Sequence, residues 1–229
     1  MADTKHVQDE QNQALTQAKD FWTRNSKVIL GVGSALVLIV GGFFVYKNFF
    51  QKPKELRAKD EMFKAEEYYR LDSAKLALNG DGQYAGFLKI SSQYGGTEAG
   101  NMAHFYAGVC YIKLKDNANA IKELKKFDGE GAKQIQQRAY KLLGDAYGDS
   151  GNGKEALSYY KKAAEAFPSS PQSTAEALFA GAYIAQKVLN DQQEAIALYK
   201  EIKEKYPQVS PFSNDASKYL AQLGVYNVN

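Results

Sequence analysis

The chain has 229 residues, 45% of them hydrophobic and 24% charged, with a formal net charge of +3. Its single Cys excludes an intramolecular disulfide framework, a Cys-rich zinc site and an iron–sulfur cluster, because each needs several sulfurs. These averages combine two solvents: the 19 uncharged residues from Val28 to Tyr46 stand apart from a remainder in which charges of both signs are interspersed.

Residues 1–26 are polar, and residues 27–47 are predicted to form one transmembrane helix. At about 1.5 Å per residue the uncharged run reaches roughly the ~30 Å of a bilayer core. A secretory signal has a shorter core ending in small residues, whereas this run ends in the bulky FFVYKNFF, so a permanent anchor is expected. Phe21 and Trp22 on one side, and Tyr46, Phe49 and Phe50 on the other, are the amphipathic rings that favour a headgroup region. Lys19, Arg24 and Lys27 precede the span, and Lys47, Lys52, Lys54, Arg57 and Lys59 follow it. This bias taken alone favours a cytoplasmic C-terminus, but the rule is weak for one span followed by a long domain, and charge leaves the topology open.

Lys52-Pro53 predicts a break, with residues 48–54 as a linker, because Pro lacks the N–H that a helix ladder needs. Beyond it the charges nearly balance and form no basic stripe, so nucleic-acid binding is not expected.

From residue 55 to 229 the pattern is repetitive. Segments beginning QYAGFLKI at Gln83, NAIKELKK at Asn119, EALSYYKK at Glu155 and EAIALYKE at Glu194 align at steps of 37, 36 and 39. Gln83, Ala120, Ala156 and Ala195 share one column; Phe87, Leu124, Tyr160 and Tyr199 a second; Ile90, Phe127, Ala163 and Ile202 a third. The spacing i, i+4, i+7 is one face of a helix, and Phe-Pro and Tyr-Pro are stops at Pro168 and Pro207. Each such helix is preceded by another, over about 55–78, 97–114, 131–149 and 173–189, with turn residues between. Strict period-2 alternation is absent, so the expected fold is all-α. It comprises four helical hairpins, about 55–95, 97–130, 131–168 and 172–207, and a last helix, within 212–223, that caps the stack.

The stretch from Tyr140 to Pro168, with Leu143, Gly144, Tyr147, Ala156, Tyr160 and Ala163, resembles a complete tetratricopeptide repeat. Gly108, Tyr111 and Ala120 fit the preceding unit, and Ala195, Tyr199 and Pro207 the following one. The resemblance implies a right-handed superhelix whose first helices line an inner groove. Carried onto this sequence, Phe105, Val109, Arg138, Lys141 and Asp145 would point into that groove and meet a partner peptide or helix.

A narrower resemblance covers nearly the whole chain. KDFWTRNSK from Lys19, a span ending GGFFVY, DSAKLALNGDGQYAGFL from Asp72 and TEAGNMAHFYAG from Thr97 together resemble the bacterial family of membrane-anchored tetratricopeptide proteins that are ancillary subunits of the Sec translocon. That family implies the inner membrane, a cytoplasmic N-terminus, a periplasmic repeat domain, and the translocon and a membrane-tethered peptidyl-prolyl isomerase chaperone as neighbours.

No enzyme is expected, nor any cofactor, metal or small-molecule substrate. Gly148 to Lys154 matches half of a phosphate-binding loop, yet Glu155 stands where Ser or Thr is needed and a helix, not a strand, precedes it. Asn79 to Gln83 lacks the Gly and the bidentate Glu of a calcium loop. His6 falls in the polar tail, while His104 and Cys110 occupy first-helix packing positions, as core residues do.

Overall fold

The computed structural model describes residues 3–226 and divides the chain into two units, residues 1–53 and Lys54–Asn229.

The first unit is helical. Helix α1 (Asp3–Val45) carries the apolar run, none of whose most apolar window is buried; among the described residues this is the one helix long and apolar enough to cross a membrane. A π-helical turn, Tyr46–Gln51, follows, in which the Lys52 N–H bonds back to Lys47. The break and linker expected over 48–54 give way to helix: Pro53 is the second residue of α2 (Lys52–Arg70). The wider π turn moves the hydrogen-bond ladder from i−4 to i−5 just ahead of the residue that has no N–H to give, so the chain stays helical.

In the second unit the described residues are helical apart from turns and one isolated bridge between Gly80 and Ala85. A single first helix over 55–78 is not found. α2 ends at Arg70, and α3 (Ala74–Asn79) is separate. The stop is an αL cap: Asp72 has φ +57°, its N–H bonds Tyr69 O, and the Ser73 N–H bonds Tyr68 O. Asp, like Asn, tolerates this conformation better than most residues, a signal that the surrounding helical periodicity hides. α4 (Phe87–Tyr94) completes the first hairpin, tied to α2 by Tyr94 Oη, which donates to Glu61 at 2.8 Å.

Three further hairpins follow: α5 (Glu98–Lys113) with α6 (Asn117–Leu124), α7 (Lys133–Asp149) with α8 (Gly153–Ala166), and α9 (Pro171–Lys187) with α10 (Gln192–Lys205). Helix α11 (Phe212–Gln222) buries Ala216 and Leu220 against the last of them. The turns within these hairpins share one chemistry at the second helix. Asp116, Asn152 and Asp191 each accept the backbone N–H three residues on, satisfying an otherwise orphaned donor. Lys115, Gly151 and Asn190, directly ahead of these three, supply the positive φ that ends the first helix.

Eleven of the twelve aligned residues are buried, the exception being Gln83. It precedes α4, in a turn closed by Asp81, whose Oδ1 accepts the N–H groups of Gln83 and Tyr84 at 2.9 and 2.7 Å. Column two explains how closely the paired helices approach. A Cβ on Gly108 would collide with the Leu124 side chain, and one on Gly144 would stand 2.6 Å from the Tyr160 ring. Among the remaining repeat-packing residues Tyr111, Tyr140 and Tyr147 are half-buried, while Pro168 and Pro207 are exposed two residues past their helices.

Candidate functional site

The five residues expected along an inner groove divide into two groups. Phe105 and Val109 are 4% and 6% exposed, packed with Leu124, Phe127, Ala139 and Leu143, so they belong to the core. Their apolar side chains are covered by α7 of the next hairpin, which the local helical pattern of α5 does not reveal. Arg138, Lys141 and Asp145 stay accessible on α7.

Around Lys141 the structure builds a polar bridge between α7 and α9. Lys141 Nζ lies 3.2 Å from Asp145 Oδ2 and 3.1 Å from Glu176 Oε1. Burial alone would lower the Lys141 ammonium's pKa, but the two carboxylates outweigh it and hold it above its ordinary value. Asp145 also accepts a 2.8 Å bond from Tyr160 Oη, and burial followed by the Asp145 charge pushes the Tyr160 phenol well up. Beside this triad a hollow of about 350 Å³ is lined by Gln134, Gln137, Arg138, Lys141, Ser173 and Glu176, with Leu142.

Of these lining residues the sequence points only to Arg138 and Lys141; among the other five, Gln137 and Glu176 tie helices together. Gln137, 3% exposed, donates from Nε2 to Ala163 O and Thr174 Oγ1, both at 3.1 Å, and so links α7 to α8 and α9. Its counterpart in the preceding repeat is Asn101, which clamps the loop after α6 by exchanging hydrogen bonds with the Asp128 backbone at 2.6 and 2.8 Å. A polar amide recurring at one repeat position was the readable signal. Glu176 comes from a neighbouring helix, and nothing in the α7 sequence points to it.

The other reactive side chains are occupied. His104 Nδ1 lies 2.7 Å from Glu123 Oε2, and Lys126 lies 2.8 Å from Glu123 Oε1. Burial raises the Glu123 carboxyl, yet the hydrogen bonds from Lys126 and His104 prevail and hold it below its usual range. Cys110 is fully buried, which pushes its thiol up to about 11, too high for a nucleophile at neutral pH. Gly148 to Lys154 forms the α7–α8 turn, with Gly151 at φ +78° and Asn152 as the cap of α8. Asp81 Oδ2 is taken by Tyr68 Oη at 2.6 Å. His6 carries a side chain outside the described residues. Among the described residues no group of three or more His, Cys, Asp or Glu is arranged to hold a metal ion.

The family model for the tetratricopeptide repeat matches two segments, residues 102–128 and 176–208. The first spans most of α5 and all of α6; the second begins within α9 and includes all of α10. Comparison with curated proteins finds no match. The two matched segments are thus similar to tetratricopeptide repeats, a repeat class whose stacked hairpins commonly bind proteins.

Proposed function

We propose that this chain is a membrane-tethered, non-catalytic scaffold of the bacterial inner membrane, an accessory subunit of the Sec translocon that links it to periplasmic chaperones or clients. The observation that carries the reading is the presence, in one chain, of an apolar helix with none of its span buried and a stack of hairpins with tetratricopeptide character. The tether is part of the mechanism: confinement to one membrane raises the effective concentration of partners, so a weak groove interaction can still be occupied. The partner-facing residues are Arg138, Lys141 and Asp145, with Gln134 and Glu176 beside them. Their mixed charge suits an extended segment or helix better than an acidic tail alone. The N-terminus is placed in the cytoplasm and the repeats in the periplasm, with a membrane-tethered peptidyl-prolyl isomerase chaperone as a further partner.

Two experiments test this reading. Protease added to intact spheroplasts should digest the repeat domain; protection would reverse the orientation and exclude periplasmic partners. Crosslinking in cells followed by detergent extraction should capture translocon and chaperone subunits, and capture of neither sinks the translocon role.

A second reading is a structural subunit of another envelope complex, assembled through the anchor itself. Its support is the set of small residues Gly31, Ala35, Gly41 and Gly42 in the apolar span, which lets a second helix approach closely. Replacing the apolar span by an unrelated one separates the two: lost assembly points to the anchor, and unchanged assembly points to the repeats.

A further inference from the structure

We propose that the hollow beside the short helix α6 is a second docking site, which takes a carboxylate-bearing peptide segment. α8 and α10 each run for 14 residues, whereas α6 stops after 8, at Leu124, and the chain continues without helix to Ala132. Where further turns of α6 would lie against its neighbours there is a hollow of about 400 Å³, walled by Tyr140 of α7 and Tyr159 of α8.

Lys125 and Lys162 border this hollow, and neither is ion-paired among the described residues, although Lys126 and Lys161 beside them in sequence pair with Glu123 and Glu194. Tyrosines hold the two ammonium groups, and Lys125 also donates a hydrogen bond to the Tyr147 phenol. Lys125 Nζ lies 5.4 Å from the Tyr147 ring centroid and Lys162 Nζ 4.7 Å from that of Tyr159. The two rings are themselves stacked, 5.4 Å apart and 10° from parallel. Such contacts position a cation without neutralising it. The carboxylate lining the hollow, Asp128, is turned to its own loop, where Oδ1 accepts the Glu130 N–H at 2.9 Å.

The complement of two positioned cations over a tyrosine wall is a carboxylate with an apolar neighbour. Charge-assisted bonds to both ammonium groups leave neither charge unpaired, and the hollow has room for a few side chains only. The site shares no lining residue with the hollow at Lys141, so it stands or fails independently of the function proposed above.

The test uses the full chain in a neutral detergent and a fluorescein-labelled octapeptide of alternating Glu and Ala, with its Gln-for-Glu counterpart. The Glu peptide should bind with an affinity that falls as salt rises. The Lys125→Gln/Lys162→Gln variant should bind it about tenfold more weakly, as should wild type the Gln peptide, whereas Lys218→Gln, an exposed lysine that lines neither hollow, should bind as wild type does. Equal binding by the double variant with unchanged circular dichroism, no binding of the Glu peptide by wild type, or an equal loss in Lys218→Gln would overturn the proposal. So would a dimer, seen by sedimentation, that these two lysines hold together, because a second copy would then be the occupant.

Discussion

In the second hairpin the side chain seated on the first-helix glycine is Leu124, with Phe105 and Val109 buried beside it; in the third, the equivalent places hold Tyr160, Lys141 and Asp145. The backbone relationship is the same, since Leu124 closes on Gly108 as Tyr160 closes on Gly144. One seam is filled by apolar volume alone. The other adds an ion pair and a phenol hydrogen bond at its rim, reaching α9 through Glu176. A repeat therefore fixes where a side chain must fill space and leaves open whether its far end is apolar or polar. The polar choice falls where α7 still has an accessible face.

The largest effect should come from emptying either seam. Leu124→Ala and Tyr160→Ala each remove a buried side chain and leave a cavity, and each should cost about 3 kcal/mol in urea unfolding of the full chain followed by circular dichroism. A loss below about 1 kcal/mol at either position would mean that the neighbouring helices collapse onto the space.

Adding volume separates hairpins that the sequence makes alike. Gly144→Ala places a methyl against the Tyr160 ring and should destabilise by about 1–2 kcal/mol, even though Ala is the better helix former. Gly181→Ala, at the matching position of α9, meets Leu157 and Tyr160 only at 3.4 Å. It should be neutral, or stabilise by up to about 1 kcal/mol. Equal losses at both sites would contradict the difference in approach.

The polar rim has a smaller effect. Tyr160→Phe keeps the ring but leaves Asp145 Oδ1 short of a donor, a loss of about 1 kcal/mol. Rewriting the third seam as the second, with Lys141→Phe, Asp145→Val and Tyr160→Leu together, removes the Lys141–Asp145–Tyr160 set at once, leaves only the partly exposed Glu176 without its cation, and should stay within about 1 kcal/mol of wild type. A much larger loss in the triple variant would make the ion pair a structural requirement of the third hairpin.

The smallest effect concerns the second hairpin's own buried carboxylate. Glu123 has a pKa held below its unfolded value, so its contribution is complete above about pH 4.3, the ordinary Glu value, and is lost as pH falls through the folded value. Thermal unfolding between pH 6 and pH 3 should show Glu123→Gln losing less stability than wild type, by up to about 1 kcal/mol. A steeper decline in the variant would reverse the assigned sign.

Periodicity located the hairpins, because burial of one helical face leaves its imprint on every third or fourth residue, and the column of Phe87, Leu124, Tyr160 and Tyr199 is buried throughout. It did not locate the end of α2. The αL cap at Asp72 is a one-residue event inside a helical pattern. Nor did it separate buried from accessible first-helix residues: Phe105 and Lys141 hold equivalent places, yet only the neighbouring hairpin decides which of them is covered. The unpaired lysines of the α6 hollow were equally hidden, since pairing depends on carboxylates from other helices.

By itself the sequence determined an uncharged run of bilayer length, an all-helical remainder repeating every 36 to 39 residues, and the small residues that let paired helices approach. These are one-dimensional properties, set by spacing and side-chain size along a single helix. The tertiary structure alone decided that Phe105 and Val109 are core, that Lys141 meets Glu176, that Gln137 staples three helices, and that a short α6 leaves Lys125 and Lys162 unpaired around a hollow. Each depends on groups far apart in the chain, because burial and charge pairing are properties of what lies across a contact.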